Sequence, residues 1–182
     1  MQAVAPGQLV IRQGTEHDVD HLRGVIARAN DQFRGLVSDG LFAAYLASAM
    51  DVEHRLEDGE LLAAELEGTI VGTITFYRDS GDEGMPIRFP DSTAGIRATA
   101  VDPSARGLGI GRALVDACIA RAAAAGASGV GLHTARFMDA AVTIYERCGF
   151  TRVPTYDFEW SQFFPGSPSE VEPALAYLLD LR

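Results

Sequence analysis

Between Val101 and Arg112 the chain reads Val-Asp-Pro-Ser-Ala-Arg-Gly-Leu-Gly-Ile-Gly-Arg, with glycines at 107, 109 and 111. Glycine lets a backbone approach a ligand closely and turn successive N–H groups to one side. The stretch separates a β-prone run, Ala94 to Val101, from Gly109 to Ala125, where Ile110, Leu114, Cys118, Ile119 and Ala122 recur at helical spacing. A helix that starts beside the glycines offers its unpaired amides and the positive end of its dipole to whatever sits in the loop. Such a cradle suits a pyrophosphate. Arg106 and Arg112 bracket it and are candidates for charge-assisted bonds to phosphate oxygens, Arg106 the stronger of the two. Two nucleotide loops do not fit. The spacing is not the G-x-G-x-x-G of a dinucleotide fold opening at its first strand, and the Lys-Ser/Thr ending of a Walker loop is absent.

Periodicity and turn residues indicate the elements that hold this loop in place. Leu9 to Ile11 reads as a strand after a loose start at residues 1–8, and Thr15 supplies a cap for a helix reaching about Asn30. Ser38 to about Val52 puts Leu41, Phe42, Tyr45, Leu46 and Ala49 on one helical stripe, and Gly59 ends the helical region. These two helices read as flanks or lids. Glu60 to Leu66 and Thr69 to Tyr77 form a hairpin across Glu67-Gly68. Asp79 to Thr93, with its glycines, prolines and carboxylates, is a long loop and a candidate substrate-facing segment. Beyond the glycine loop, Val130 to Thr134 is a short strand. Asp139 to Cys148 is a helix with Ala141, Ile144, Tyr145 and Cys148 on one side and Gly149 just past its end. Thr151 to Trp160 and Ala174 to Leu181 read as strands, with Pro165, Gly166, Pro168 and Pro173 punctuating the stretch between them.

A chain of 182 residues that is 47% hydrophobic and 22% charged fits one domain, residues 9–182, with a packed core. The net charge of −10 argues against nucleic acid or anionic membrane as a partner, since both require clustered Lys and Arg. It tilts weakly toward a cationic substrate. Cys118 and Cys148 fall on apolar helix faces and read as small hydrophobes, with no disulfide and no metal site. Residues 1–10 lack the basic opening and apolar run of a secretory signal, and no segment stays apolar for the ~18 residues a membrane span needs, so a cytoplasmic location is expected.

On two motifs the chain resembles the GNAT acyltransferase superfamily. Arg106, Gly109 and Gly111 meet its Q/R-x-x-G-x-G/A pattern, preceded by Ala100-Val-Asp-Pro103, and Ala141-Val-Thr-Ile-Tyr-Glu-Arg-Cys-Gly-Phe150 is similar to its closing helix. The resemblance implies a mixed α/β fold with a central, mostly antiparallel sheet splayed at strands four and five and flanked by helices. It implies acetyl-coenzyme A as co-substrate, direct transfer to an amine without an acyl-enzyme, and no metal. The pantetheine arm would pair along Thr99, Ala100 and Val101, and the pyrophosphate would rest on Arg106, Gly107, Leu108, Gly109, Ile110, Gly111 and Arg112. A backbone N–H near Val101 would face the thioester oxygen, and Tyr145 would protonate or orient the departing thiolate.

The chain also departs from the pattern. Relatives that use a carboxylate on the fourth strand usually place it where this chain has Gly95, and no Asp or Glu lies between Ala94 and Val101. The remaining candidates for a general base are Asp91, Glu83, His133 and Asp157, each of which has a default reading as a solvated carboxylate or a strand histidine satisfied by backbone. Met138 stands where many relatives carry an Asn that contacts the cofactor. Tyr156, Phe158, Trp160, Phe163 and Phe164 form an acceptor wall, a subunit contact or plain core. The acceptor expected is a small-molecule amine. The alternatives are a protein Lys or N-terminus, which needs an open groove at the 79–93 loop, and a non-catalytic acyl-coenzyme A binding module. A homodimer through the late strands is compatible with all three.

Overall fold

The computed structural model describes residues 8–166 and 172–182; the expected loose start at residues 1–7 and the turn around Pro168 lie outside them. One seven-stranded sheet in the order β1-β2-β3-β4-β5-β7-β6 organises the chain. Its strands are β1 (Leu9–Gln13), β2 (Glu60–Leu66), β3 (Thr69–Tyr77), β4 (Thr93–Val101), β5 (Gly129–Thr134), β6 (Thr151–Arg152) and β7 (Leu175–Asp180). Every neighbouring pair is antiparallel except β4 and β5. A parallel pair needs a crossover, and α4 (Ile110–Ala124) supplies it. The expected mixed α/β fold is therefore the observed one.

The β2–β3 hairpin turns on Glu67 at φ 52° and Gly68 at φ 79°. Both central residues take positive φ, the geometry that matches the twist of a two-residue hairpin. Along β2 the faces alternate, as a pleat requires. Leu62 and Ala64 join a core with Ile110, Leu114, Val115 and Cys118 of α4, while Leu61 and Ala63 join a second core on the opposite face. That second core takes Leu22, Val25 and Ile26 from α1 (Val19–Asn30), Ala49 from α2 (Asp39–Ala49) and Val52 from α3 (Val52–Asp58). Burial of each Leu, Ile or Val side chain among these contributes roughly 1.5–3 kcal/mol. A third cluster, with Leu41, Met138, Phe158 and Trp160, packs α2 against α5 (Asp139–Arg147) and the short helix α6 (Trp160–Phe163).

Two expectations change. The helical stretch after Ser38 breaks at Met50-Asp51 into α2 and α3. Thr15 caps as expected, at a 3-10 turn (Glu16–Asp18) that leads into α1, in a capping box where Asp18 Oδ2 accepts from both the Thr15 N–H (2.8 Å) and the Thr15 hydroxyl (2.9 Å). Thr151 to Trp160 is not a continuous strand. Only Thr151–Arg152 pairs, Pro154–Tyr156 forms a 3-10 turn, and Phe158 makes a lone bridge to Ala174. Pro154 brings no N–H to a ladder and restricts Val153 before it, which ends the strand there.

Candidate active site

The parallel pairing of β4 with β5 covers only Thr93–Gly95 against Gly129–Gly131. Beyond it β4 continues with β3 alone and β5 with β7 alone, so the sheet parts into a V. At the parting, the β3–β4 register shifts between Thr73 and Thr75, and Ala98 adopts φ 55°. A non-glycine residue held there bulges the strand and re-aims the residues after it, here Thr99 and the groove-facing edge of Ala100 and Val101.

A groove of about 710 Å³ runs from this V to the start of α4. Thr99, Ala100, Val101, Arg106, Gly107, Gly109, Ile110, Gly111 and Arg112 all line it, with Tyr145 and the end of α1. Of the residues assigned from the sequence, Leu108 does not; its side chain is 61% exposed. Gly107 (φ 78°) and Gly109 (φ 76°) make the turn, and Gly109 begins a helix that no side chain among the described residues caps. The first amides of α4 therefore lack intrahelical partners and open on the groove. A Cβ on Gly111 would come within 2.9 Å of Ile144 Cδ1, so this glycine lets α4 and α5 meet closely.

Beneath the turn, Asp102 accepts from the Ser104 hydroxyl (2.7 Å), the Ser104 N–H (3.0 Å) and Arg28 Nε (2.7 Å). These bonds, with Ser104 first, hold its carboxyl down to a pKa of about 2. The two arginines differ. Arg106 is exposed and bonds to the Ala29 carbonyl at 3.1 Å, whereas Arg112 Nε is committed to both oxygens of Asp116 at 3.0 and 2.9 Å.

Helix α5 carries Tyr145 to the groove, 6% exposed, where its hydroxyl donates to Thr99 Oγ1 at 3.1 Å. Burial pushes this phenol up to about 12, against a smaller opposing effect of the Thr99 bond. The hydroxyl keeps its proton at neutral pH.

Between the parting strands, lined from both β4 and β5, lies a small apolar pocket of about 60 Å³. Arg97, Ala98, His133 and Met85 line it together with Phe158, Trp160, Phe163 and Phe164. Tyr45 and Met138 belong to the linings of both the pocket and the groove, which therefore meet at these two side chains. Four of the five aromatics named from the sequence thus form a pocket wall, while Tyr156 packs on Phe89 at 5.3 Å between centroids. Arg97 donates to the Glu83 carbonyl (3.2 Å) and to the Ser48 hydroxyl, and its guanidinium lies 5.1 Å over the Phe163 ring. Sequence reasoning passes over Arg97 and Tyr45. Alternation along a strand and an apolar helical stripe give no sign that either reaches a cleft.

The base candidates separate clearly. Asp91 is exposed. Asp157 is spent on Arg152 and on the Ala176 N–H at 2.9 Å. His133 Nε2 donates to the Tyr156 carbonyl at 2.8 Å, which leaves Nδ1 as a buried acceptor without a partner among the described residues, and burial lowers the imidazole's pKa. Glu83, expected in solvent, is instead 4% exposed, because the 3-10 turn Ser80–Glu83 folds back onto β4.

Residues 25–150 match the model of the Acetyltransferase (GNAT) family, so the chain belongs to that family. Among curated proteins it is 31% identical over 174 residues to a mycothiol acetyltransferase from Cellulomonas flavigena, covering 95% of this chain and 46% of that one. It is 41% identical over 80 residues to another from Geodermatophilus obscurus, covering 44% and 24%. The chain thus spans less than half the length of these relatives. Its fold is that of a PaiA N-acetyltransferase from Thermoplasma acidophilum solved with coenzyme A (TM-score 0.70, 15% identity, 95% and 99% covered). YncA of Salmonella typhimurium, solved with acetyl-CoA, shares it too (TM-score 0.62, 17% identity, 96% and 95% covered).

Proposed function

We propose that the chain transfers acetyl from acetyl-coenzyme A directly to the primary amine of a small molecule. The observation that carries this reading is the meeting of the groove and the apolar pocket at the V. One side holds an amide-rich helix start suited to a pyrophosphate, and the other a small apolar pocket suited to an acceptor. The family and the names of the curated relatives, which couple acetyl transfer to mycothiol, support it.

In this reading Gly107 to Gly111 and Arg106 hold the pyrophosphate, and the open edge of Thr99 to Val101 pairs with the pantetheine arm. An amide of that edge, near Val101, stabilises the oxyanion formed as the amine attacks. Tyr145 serves the leaving group. A phenol at about 12 is a weaker acid than an ordinary thiol near 8.5, so it gives up its proton only as the C–S bond breaks and thiolate charge develops in the same dry site.

The 79–92 segment favours a small acceptor over a protein. Met85 lines the pocket, Glu83 covers Gly95 and Phe89 covers Gly131, so the segment closes over the V rather than standing back from it. Small primary amines and Lys or amino-terminal peptides, offered side by side with acetyl-coenzyme A and read by product mass, test this. Acetylated small amines are expected; acetylation of peptides alone would overturn the small-molecule assignment.

A further inference from the structure

A carboxylate fills the space that Gly95 leaves empty. The turn carrying Glu83 is pinned by Asp79, whose Oδ1 accepts the Gly81 N–H at 2.8 Å, and Gly84 at φ 71° leads the chain away. Between them the Glu83 side chain points inward. A Cβ on Gly95 would lie 1.6 Å from Glu83 Oε1 and 2.5 Å from its Cδ. The carboxyl group therefore occupies the volume a short side chain on residue 95 would take. Gly95 is the last β4 residue paired with β5, so this volume lies at the apex of the V. Arg97, two residues on and on the same face, lines the pocket.

Glu83 Oε1 is buried with no hydrogen-bond partner among the described residues. A buried ionisable group left in that condition is costly and calls for an explanation in function. Arg97 from β4 and Tyr77 from β3 interact with it; Tyr77 in turn feels Arg55 and Asp58 of α3, and Arg97 feels Tyr45 of α2. On β5, His133 packs on the Phe89 ring, with 4.9 Å between centroids. Arg97 is the cation that favours its ionised form, opposing the desolvation that raises its pKa.

Resting on the acetyltransferase reading above, we propose that Glu83 is the proton acceptor for the incoming amine, a loop carboxylate delivered to the apex of the V over a strand residue that has no side chain. An alkylammonium, with a pKa of about 10 in water, must lose a proton before its nitrogen can attack. That proton passes to Glu83, directly or through one water, and leaves later to solvent. The freed electron pair forms the N–C bond and the C–S bond breaks. The sulfur takes the Tyr145 proton, and the nitrogen's second proton restores Tyr145. The pKa of Glu83, held above the ordinary carboxylate range by burial, brings the base nearer to the amine it serves.

The test uses the full chain with acetyl-coenzyme A and 2-phenylethylamine, cysteamine and glucosamine as probes, the fastest carried forward, beside methoxyamine, which is already neutral at pH 7. Glu83→Gln is expected to lower kcat for the protonated amine by about 100-fold, with far less effect on methoxyamine and with acetyl-coenzyme A affinity unchanged. Gly95→Ala, which must push the carboxyl aside, is expected to give a similar loss. Gly95→Asp placed in a Glu83→Ala background restores a carboxylate to the same volume and should recover at least about 10-fold of the Glu83→Ala loss. Should Glu83→Gln fail to fold, the Gly95 variants carry the test. Unchanged kcat in Glu83→Gln or Gly95→Ala, equal losses with both kinds of amine, or a folded double variant without recovery would overturn the proposal. Absence of thiol release by the unaltered chain with every probe would instead sink the acetyltransferase reading, and this proposal with it.

Discussion

The Tyr145 hydroxyl donates to Thr99 Oγ1 across 3.1 Å, joining helix α5 to the bulged end of β4 where the groove passes between them. The bond fixes the phenol's direction in a site where burial has pushed its pKa up to about 12. Replacing Tyr145 with Phe keeps the ring's packing against Phe150 and removes only the hydroxyl. Turnover should fall by about 100-fold with acetyl-coenzyme A affinity unchanged, as measured by steady-state kinetics beside a binding titration. Because the proton is lost only as pH rises through about 12, ionisation of Tyr145 should produce no alkaline fall in rate below about pH 10. A purely structural tyrosine, or a non-catalytic binding module, predicts no change in turnover.

Gly109 opens α4 at φ 76°, with no neighbour within 4 Å of a Cβ placed there. A substitution by Ala meets backbone strain and no clash. Gly109→Ala should cost about 1–2 kcal/mol in chemical denaturation, or else rotate the turn and its amides away from the groove. In either case the KM for acetyl-coenzyme A should rise while that for the amine stays put.

Arg106 and Arg112 look equivalent along the chain and are not equivalent in space. Arg112 is held by Asp116 on the exposed face of α4, while Arg106 bonds to a backbone carbonyl and has a place on the groove. Arg106→Ala is expected to weaken acetyl-coenzyme A binding by roughly 10-fold and to make it less sensitive to salt. Arg112→Ala should change binding by less than about 3-fold, since an exposed i,i+4 pair contributes little. Titrations at two ionic strengths distinguish them.

Asp102 anchors the turn before the glycine loop through Ser104 and Arg28. Its folded pKa, about 2, lies below the ordinary 3.8, so its contribution is complete above about pH 4 and lost as pH falls through about 2. Asp102→Asn should lower stability by about 1–2 kcal/mol at pH 7, and the gap from the unaltered chain should close as acid is added. Urea unfolding at several pH values gives the comparison. A gap that persists unchanged at about pH 2 would assign the bonds no electrostatic weight.

Much of the architecture is legible in the sequence because it rests on local chemistry. Glu67-Gly68 between two β-prone runs allows one turn, and both residues take the positive φ that turn demands. The helical stripe after Gly109 and the Gly-Phe at 149–150 set the ends of α4 and α5 within a residue. The late segment misleads because β-prone side chains at 151–160 outweigh Pro154 in the pattern, whereas the missing amide decides the geometry.

The pocket beside the groove is the least legible part. Arg97 is one alternating residue of a strand, and Tyr45 one member of an apolar stripe; the splay of β4 from β5 brings them to a cleft, a tertiary event without a local signature. Glu83 shows the same limit. In a run of Gly, Asp and Glu its default is solvent, and only the return of the loop over a strand with glycine at 95 gives its carboxyl somewhere to go.

The most direct measurement is thiol release from acetyl-coenzyme A with and without a panel of small amines, with cofactor binding followed in the same preparation. Release that depends on the amine and saturates with it, above a low rate of hydrolysis, is the predicted result. Tight binding of acetyl-coenzyme A with no amine-dependent release would contradict the account and make the groove a binding site alone.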